Sequence, residues 1–158
     1  MNVYIGTFLM ALTTLALEVT LSRLLSVITW YHLAFFAIST AMLGMTAGAT
    51  TVYLKPHWFT PAKLNTSIAK ACLGYALITP FSLILLCLLT LEIRETMMSL
   101  FAFLMATFAC SLPFYFSGIA LAAILTKSPL PIGKLYASDL IGASLGCLLV
   151  LGGLELMD

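Results

Sequence analysis

Charge is what this sequence has least of. Seven lysines and arginines and six aspartates and glutamates serve 158 residues, 8% in all, where a soluble domain carries about 25%. That is too little polar surface to coat a globule in water, and a net charge of +1 supplies no basic field for nucleic acid. Cys72, Cys87, Cys110 and Cys147 all lie within apolar runs without a CxxC pair. They read as small buried apolar residues, and with His32 and His57 standing apart from them no metal site is predicted. The N-terminal MNVYIGTFLM lacks the basic region of a signal peptide, so the first apolar stretch reads as a retained spanning helix. Tandem repeats, low-complexity segments and alternating strand–helix patterns are missing too.

What remains is hydrophobic: 62% of residues, with a mean hydropathy of +1.12. The class is an all-α polytopic helix bundle in a membrane. A spanning helix needs about 20 mainly apolar residues, and five segments qualify: about Val3–Ile28, Tyr31–Leu54, Ile68–Leu91, Met97–Leu125 and Asp139 to about Leu156. Between them, KPHWFTPAKLNTS and TKSPLPIGKLYAS read as loops, EIRE as a short charged turn, and Thr29–Tyr31 as a connection tight enough to make the first two helices antiparallel neighbours. Residues 1–158 form a single transmembrane domain. The terminal LGGLELMD, without a polar tail, suggests part of a larger protein or a chain that needs a partner.

Alternation puts Lys55, Lys63, Lys70, Lys127 and Lys134 on the side of the N-terminus. Short lysine-bearing loops stay cytoplasmic, which predicts an N-in, C-out topology.

Glu18 and Arg23 interrupt the first helix. Residues three and four apart share a helix face, and the face through Glu18 reads Thr7, Ala11, Thr14, Glu18, Ser22 and Thr29. It is small and polar, the opposite side large and apolar, so Glu18 lies on the face able to turn inward. A charge at that depth costs a few kcal/mol and must be protonated, paired or hydrated. Arg23 is five residues on, roughly 140° around the axis, and near enough to the outer end to snorkel. Glu18 therefore meets Arg23, another helix or a water-filled pocket. Tyr31 and His32 are neighbours for Arg23 or, with Trp30, members of an aromatic belt.

Asp139 opens the last predicted helix beside Ser138. It reads either as an acid in a first turn capped by Ser138 or as an inward carboxylate near the cytoplasmic mouth. Its face continues through Gly142, Ala143, Gly146, Val150 and Gly153, and the second helix offers Ala41, Gly44, Gly48 and Thr51. Both contain GxxxG, which lets helix backbones approach closely in lipid. Pro113 in CSLPFYFSG, with Gly118 about a turn later, predicts a kink in the fourth helix.

The blocks LEVTLSRLLSVITWYHLAFFAISTAMLGMTAGA, LPFYFSGIALA and GKLYASDLIGASLGCLL, in that order, resemble the hydrophobic N-terminal region of bacterial membrane-bound spermidine-synthase-like proteins. The matching positions are Glu18, Arg23, Tyr31, His32, Gly44 and Gly48, then Pro113, Phe114 and Gly118, then Tyr136, Asp139, Gly142 and Gly146. The resemblance implies a multi-pass protein of the bacterial inner membrane, whose helices are followed by a soluble aminopropyltransferase-like domain. It implies position rather than role for the matching residues. The departure is the catalytic half: no glycine-rich turn after a strand and no soluble stretch able to hold a nucleotide-type site. No catalytic residue and no cofactor are therefore assigned.

Three functions compete. One is a membrane module that anchors an aminopropyltransferase-like partner or passes it a small substrate. Another is a small carrier or transporter fragment, with Glu18 and Asp139 taking a cation. The third is a structural assembly subunit held by its glycine faces. The partners are the bilayer, and either a soluble aminopropyltransferase-like domain or further membrane helices, with no nucleic acid.

Overall fold

In hydrocarbon every backbone N–H and C=O must find its partner within the chain, and a helix satisfies them inside one segment. The computed structural model of the chain, which describes residues 2–28, 34–88 and 97–156, follows that rule. Its helices are α1 (Asn2–Ile28), α2 (Ala34–Leu54), α3 (Leu64–Leu88), α4 (Met97–Lys127) and α5 (Ile132–Glu155), with a single 3₁₀ turn at Pro56–Trp58. All five are long and apolar enough to cross a membrane, and no strand occurs among the described residues.

α4 is the axis of the bundle. Of its hydrophobic window 61% is buried, against 11% for α5. It packs between α2 and α3, while α1 touches α2 and α4 and carries α5 on its outer side. The core is Leu17, Leu21 and Leu25 of α1, Ala37 and Ala41 of α2, Tyr75 and Leu86 of α3, and Ala106, Cys110 and Phe114 of α4.

Hydrophobicity does not drive helices together in lipid, so close packing must, and glycine supplies it at two seams. A Cβ on Gly44 would overlap the Ser111 carbonyl oxygen and come within 2.8 Å of Phe114 Cβ. One on Gly48 would overlap the Tyr115 carbonyl, and one on Gly118 would stand 2.5 Å from the Met45 carbonyl oxygen. These residues close α2 on α4. In the second seam Gly142 and Gly146 lie against the carbonyls of Phe8 and Leu12, closing α5 on α1. Residue numbers rise together along each seam, so α1 runs parallel to α5 and α2 parallel to α4, as up-and-down connectivity requires. The α5 seam ends before Gly152 and Gly153, which have open space around them.

Pro113 removes an N–H from the middle of α4, yet the helix continues unbroken to Lys127. The carbonyl left without its intrahelical donor, four residues earlier, is that of Ala109. Ser82 of α3 donates its hydroxyl to it at 2.5 Å. α3 likewise runs through Pro80, on an exposed face.

Two helix starts differ from expectation. α3 begins at Leu64 rather than Ile68, because Leu64 is buried against Val52, Phe59 and Ala123 and that packing holds another turn in helical form. α5 begins at Ile132, a full seven residues before Asp139. Pro131 precedes the helix with an extended backbone, and Leu135 is fully buried in the early turns, so KLYAS is helix and not loop. α4 also extends two residues past Leu125.

Candidate functional site

Hydroxyls meet where α1, α3 and α4 cross. Thr14 is close to the midpoint of α1, and its Oγ1 donates to the Met10 carbonyl at 2.7 Å. Thr14 Oγ1 also stands 2.5 Å from Ser117 Oγ of α4. A hydroxyl has one proton, so Ser117 is the donor of this second bond. Thr14 and Ser117 are both buried. Tyr75 of α3 lies in the same region, lining a groove with Thr13 and Thr79, whose hydroxyls donate to the carbonyls of Leu9 and Tyr75. Nearer the lysine-bearing end, Thr51 donates to the Ala47 carbonyl, so Tyr115, 3.2 Å away, donates to Thr51. An apolar groove of about 620 Å³ passes the cluster between α1 and α3, lined by Leu9, Thr13, Tyr75, Thr79 and Leu83.

Every buried side-chain nitrogen and oxygen among the described residues has a hydrogen-bond partner. The Thr13, Thr14 and Thr79 protons are each spent on a backbone carbonyl and the Ser117 proton on Thr14, which is the arrangement of a structural network.

The residues singled out by sequence do not converge. Thr7, Ala11 and Thr14 of the α1 polar face are buried, whereas Glu18 and Ser22 are half-buried and Arg23 is exposed. Glu18 and Arg23 form no ion pair or hydrogen bond among the described residues. Tyr31 and His32 lie outside the described residues, as do Thr29 and Trp30. Tyr136 is exposed, and Asp139 is half-buried. The first-turn reading of Asp139 is corrected by the earlier start of α5: no acid occupies its first turn. Ser138 is not a cap either, since its hydroxyl bonds back to the Lys134 carbonyl at 3.0 Å, an interior arrangement. Gly44, Gly48, Gly142 and Gly146 sit in the seams, and Pro113, Phe114 and Gly118 are buried in α4. No three His, Cys, Asp or Glu side chains among the described residues are grouped to hold a metal.

A second polar feature opens at the lysine-bearing end. A cavity of about 580 Å³ is bounded by Thr51 of α2, by His57, Trp58 and Phe59, by Lys63, Ser67, Lys70 and Ala71, and by Phe116 and Ile119 of α4. Its wall is firmly built. Ser67 Oγ donates to the Trp58 carbonyl at 2.8 Å, Phe59 is buried, and the Lys55 ammonium lies 4.2 Å from the centre of the Trp58 ring. Sequence reasoning missed this site and also Ser117, Tyr75 and Ser82. The available signal for the cavity was the spacing Lys63, Ser67, Lys70, but starting the helix at Ile68 left Ser67 in the loop with Lys63.

Comparison with protein-family models, with curated proteins and with solved structures finds no match to this chain.

Proposed function

We propose that this chain is a membrane-embedded module that anchors a soluble aminopropyltransferase-like partner domain at its lysine-bearing end, in the manner implied by its resemblance to the membrane region of spermidine-synthase-like proteins. The observation that supports anchoring over transport is the internal pairing of the buried mid-depth hydroxyls, Thr14 with the Met10 carbonyl and Ser117 with Thr14. A carrier binds its solute near the midplane with groups that are free to receive it. The two glycine seams also suit a rigid mount, since they bring helix backbones too close together to admit even a methyl group. Lys127 and Lys134, exposed beside the α4–α5 connection, offer a cationic docking face to a partner. With that end cytoplasmic, the topology is N-in, C-out, and the setting is the bacterial inner membrane.

One observation favours a carrier instead: Glu18 lies about 6 Å along α1 from the Thr14 level and has no partner among the described residues. The test is photocrosslinking in native membranes from positions 127 and 134, with Phe101 near the other end of α4 as the control. Adducts to a soluble domain carrying an S-adenosyl-type fold, formed from the lysine positions alone, are the expected result. Failure to crosslink such a domain, together with Glu18-dependent uptake of a cationic solute by proteoliposomes, would overturn anchoring in favour of carriage.

A further inference from the structure

From the lysine-lined cavity we infer a binding site for an anionic glycerophospholipid, seated with its phosphate between Lys63 and Lys70 and an acyl chain running over Phe116 and Ile119. This is independent of the anchoring reading. Lys63 closes the turn before α3, its carbonyl accepting the Ser67 N–H at 2.9 Å, and Lys63, Ser67 and Lys70, four and three residues apart, all line the cavity on the same side of the helix start. Three cationic or ionisable donors line it, counting His57, and no carboxylate does. Among the described residues that line the cavity, nothing compensates this positive charge.

Lys70 is the more telling of the two. α3 has 25 residues, about 37 Å at its usual rise, and a hydrocarbon core of about 30 Å centred on it begins near Thr66. The Cα of Lys70 then lies roughly 6 Å inside the core. Its stem can reach back toward the headgroup level, where a lipid phosphate sits, and the cavity occupies that space. A membrane lipid is therefore the source of the phosphate best placed to meet it.

The other polar groups sharpen the choice of ligand. The Thr51 hydroxyl is spent on Ala47 and the Ser67 hydroxyl on Trp58, so the side-chain donors left for a guest are the two ammonium groups, the His57 ring and the Trp58 indole N–H. Such a set takes an acceptor-only anion and offers little to a polyol or a zwitterion whose own ammonium would face the lysines. The floor is apolar, built from Phe59, Ala71, Phe116 and Ile119, and it suits an acyl chain rather than a free headgroup.

The experiment is native mass spectrometry of the full chain released from nanodiscs of phosphatidylcholine with 20% phosphatidylglycerol. Wild type should retain phosphatidylglycerol selectively. Lys63→Gln and Lys70→Gln should each weaken retention about fivefold, and the pair roughly thirtyfold, from the usual contribution of a lysine at an anionic lipid surface. Lys70→Arg should restore it, and Lys127→Gln with Lys134→Gln, at the same end but outside the cavity, should change nothing. Circular dichroism checks that each variant keeps its helices, which exposed lysines at positions 63 and 70 are not needed to maintain. Equal retention of the two lipids by wild type would overturn the site. So would loss of selectivity with the outer lysines instead, or saturation by glycerol 3-phosphate alone, which would make the ligand a free phosphate.

Discussion

The Ser82–Ala109 bond couples two helices through a proline, and a double-mutant cycle can isolate that coupling. Pro113 strips the Ala109 carbonyl of its intrahelical donor, and Ser82 replaces it from α3 at 2.5 Å. Ser82, Ala109 and Pro113 are all buried, so no water substitutes. Ser82→Ala leaves a buried carbonyl unsatisfied, a loss of about 1–3 kcal/mol in general, and side-chain bonds between membrane helices average about 0.6 kcal/mol with a maximum near 1.7. We expect about 1–1.5 kcal/mol for Ser82→Ala in the native background. Pro113→Ala carries its own cost from the lost ring, but it returns an N–H to residue 113 and lets α4 satisfy Ala109 internally. In that background Ser82→Ala should cost under about 0.5 kcal/mol, leaving a coupling near 1 kcal/mol. Reversible unfolding in mixed micelles, followed by circular dichroism, reads all four corners. Equal costs of Ser82→Ala in both backgrounds would refute the reasoning and reduce the Ser82 contact to packing.

Four further outcomes follow from the same geometry. Gly44→Ala and Gly146→Ala should each destabilise the bundle by about 1–3 kcal/mol, the usual range for overpacking, because their Cβ atoms would meet the Ser111 and Leu12 carbonyls; Gly6→Ala and Gly152→Ala, with open space around them, serve as neutral controls in the same melts. Thr14→Val should cost about 1 kcal/mol by orphaning the Ser117 hydroxyl, and adding Ser117→Ala should recover part of that loss in the same unfolding assay. Glu18→Leu should fold at least as stably as wild type, since a half-buried carboxylate without a described partner gains nothing from charge at that depth; collapse of this variant alone would make Glu18 part of a structural network. The purified chain should show neither aminopropyltransferase turnover with putrescine nor calorimetric binding of an S-adenosyl cofactor, whose polar ends need several free donors and acceptors. Micromolar, saturable cofactor binding would contradict that.

Helix number and approximate extent were legible because they depend on local quantities. A run of apolar residues long enough to span, bounded by proline, lysine and glycine, is written along the chain, and the ends of α2 at Leu54 and of α5 at Glu155 fall within one residue of expectation. The starts of α3 and α5 were not legible in the same way. Leu64 and Leu135 hold their turns helical by being buried, and burial belongs to the partner helix as much as to the residue. Misplacing those starts had consequences for chemistry: it put Asp139 in a first turn it does not occupy, and it left Ser67 in a supposed loop, apart from Lys70 one turn on.

What the amino-acid order determined by itself is the solvent the protein requires and the secondary structure this solvent enforces. With 8% charged residues the chain needs lipid, and lipid leaves its backbone the choice of helix. The small residues of GxxxG were visible too, as an ability to pack closely. Which surfaces they would close on was decided by tertiary structure alone. α5 returns past the intervening helices to lie on α1, and α4 sits between α2 and α3. Steric fit of backbone against backbone selects those pairs, and no local pattern encodes a fit between segments 134 residues apart, as between Phe8 and Gly142. The polar chemistry follows from the same packing. Ser82, Thr14 and Ser117 are ordinary hydroxyls in sequence, and they become interior hydrogen bonds because the packed bundle brings Ser82 to the Ala109 carbonyl and Ser117 to Thr14.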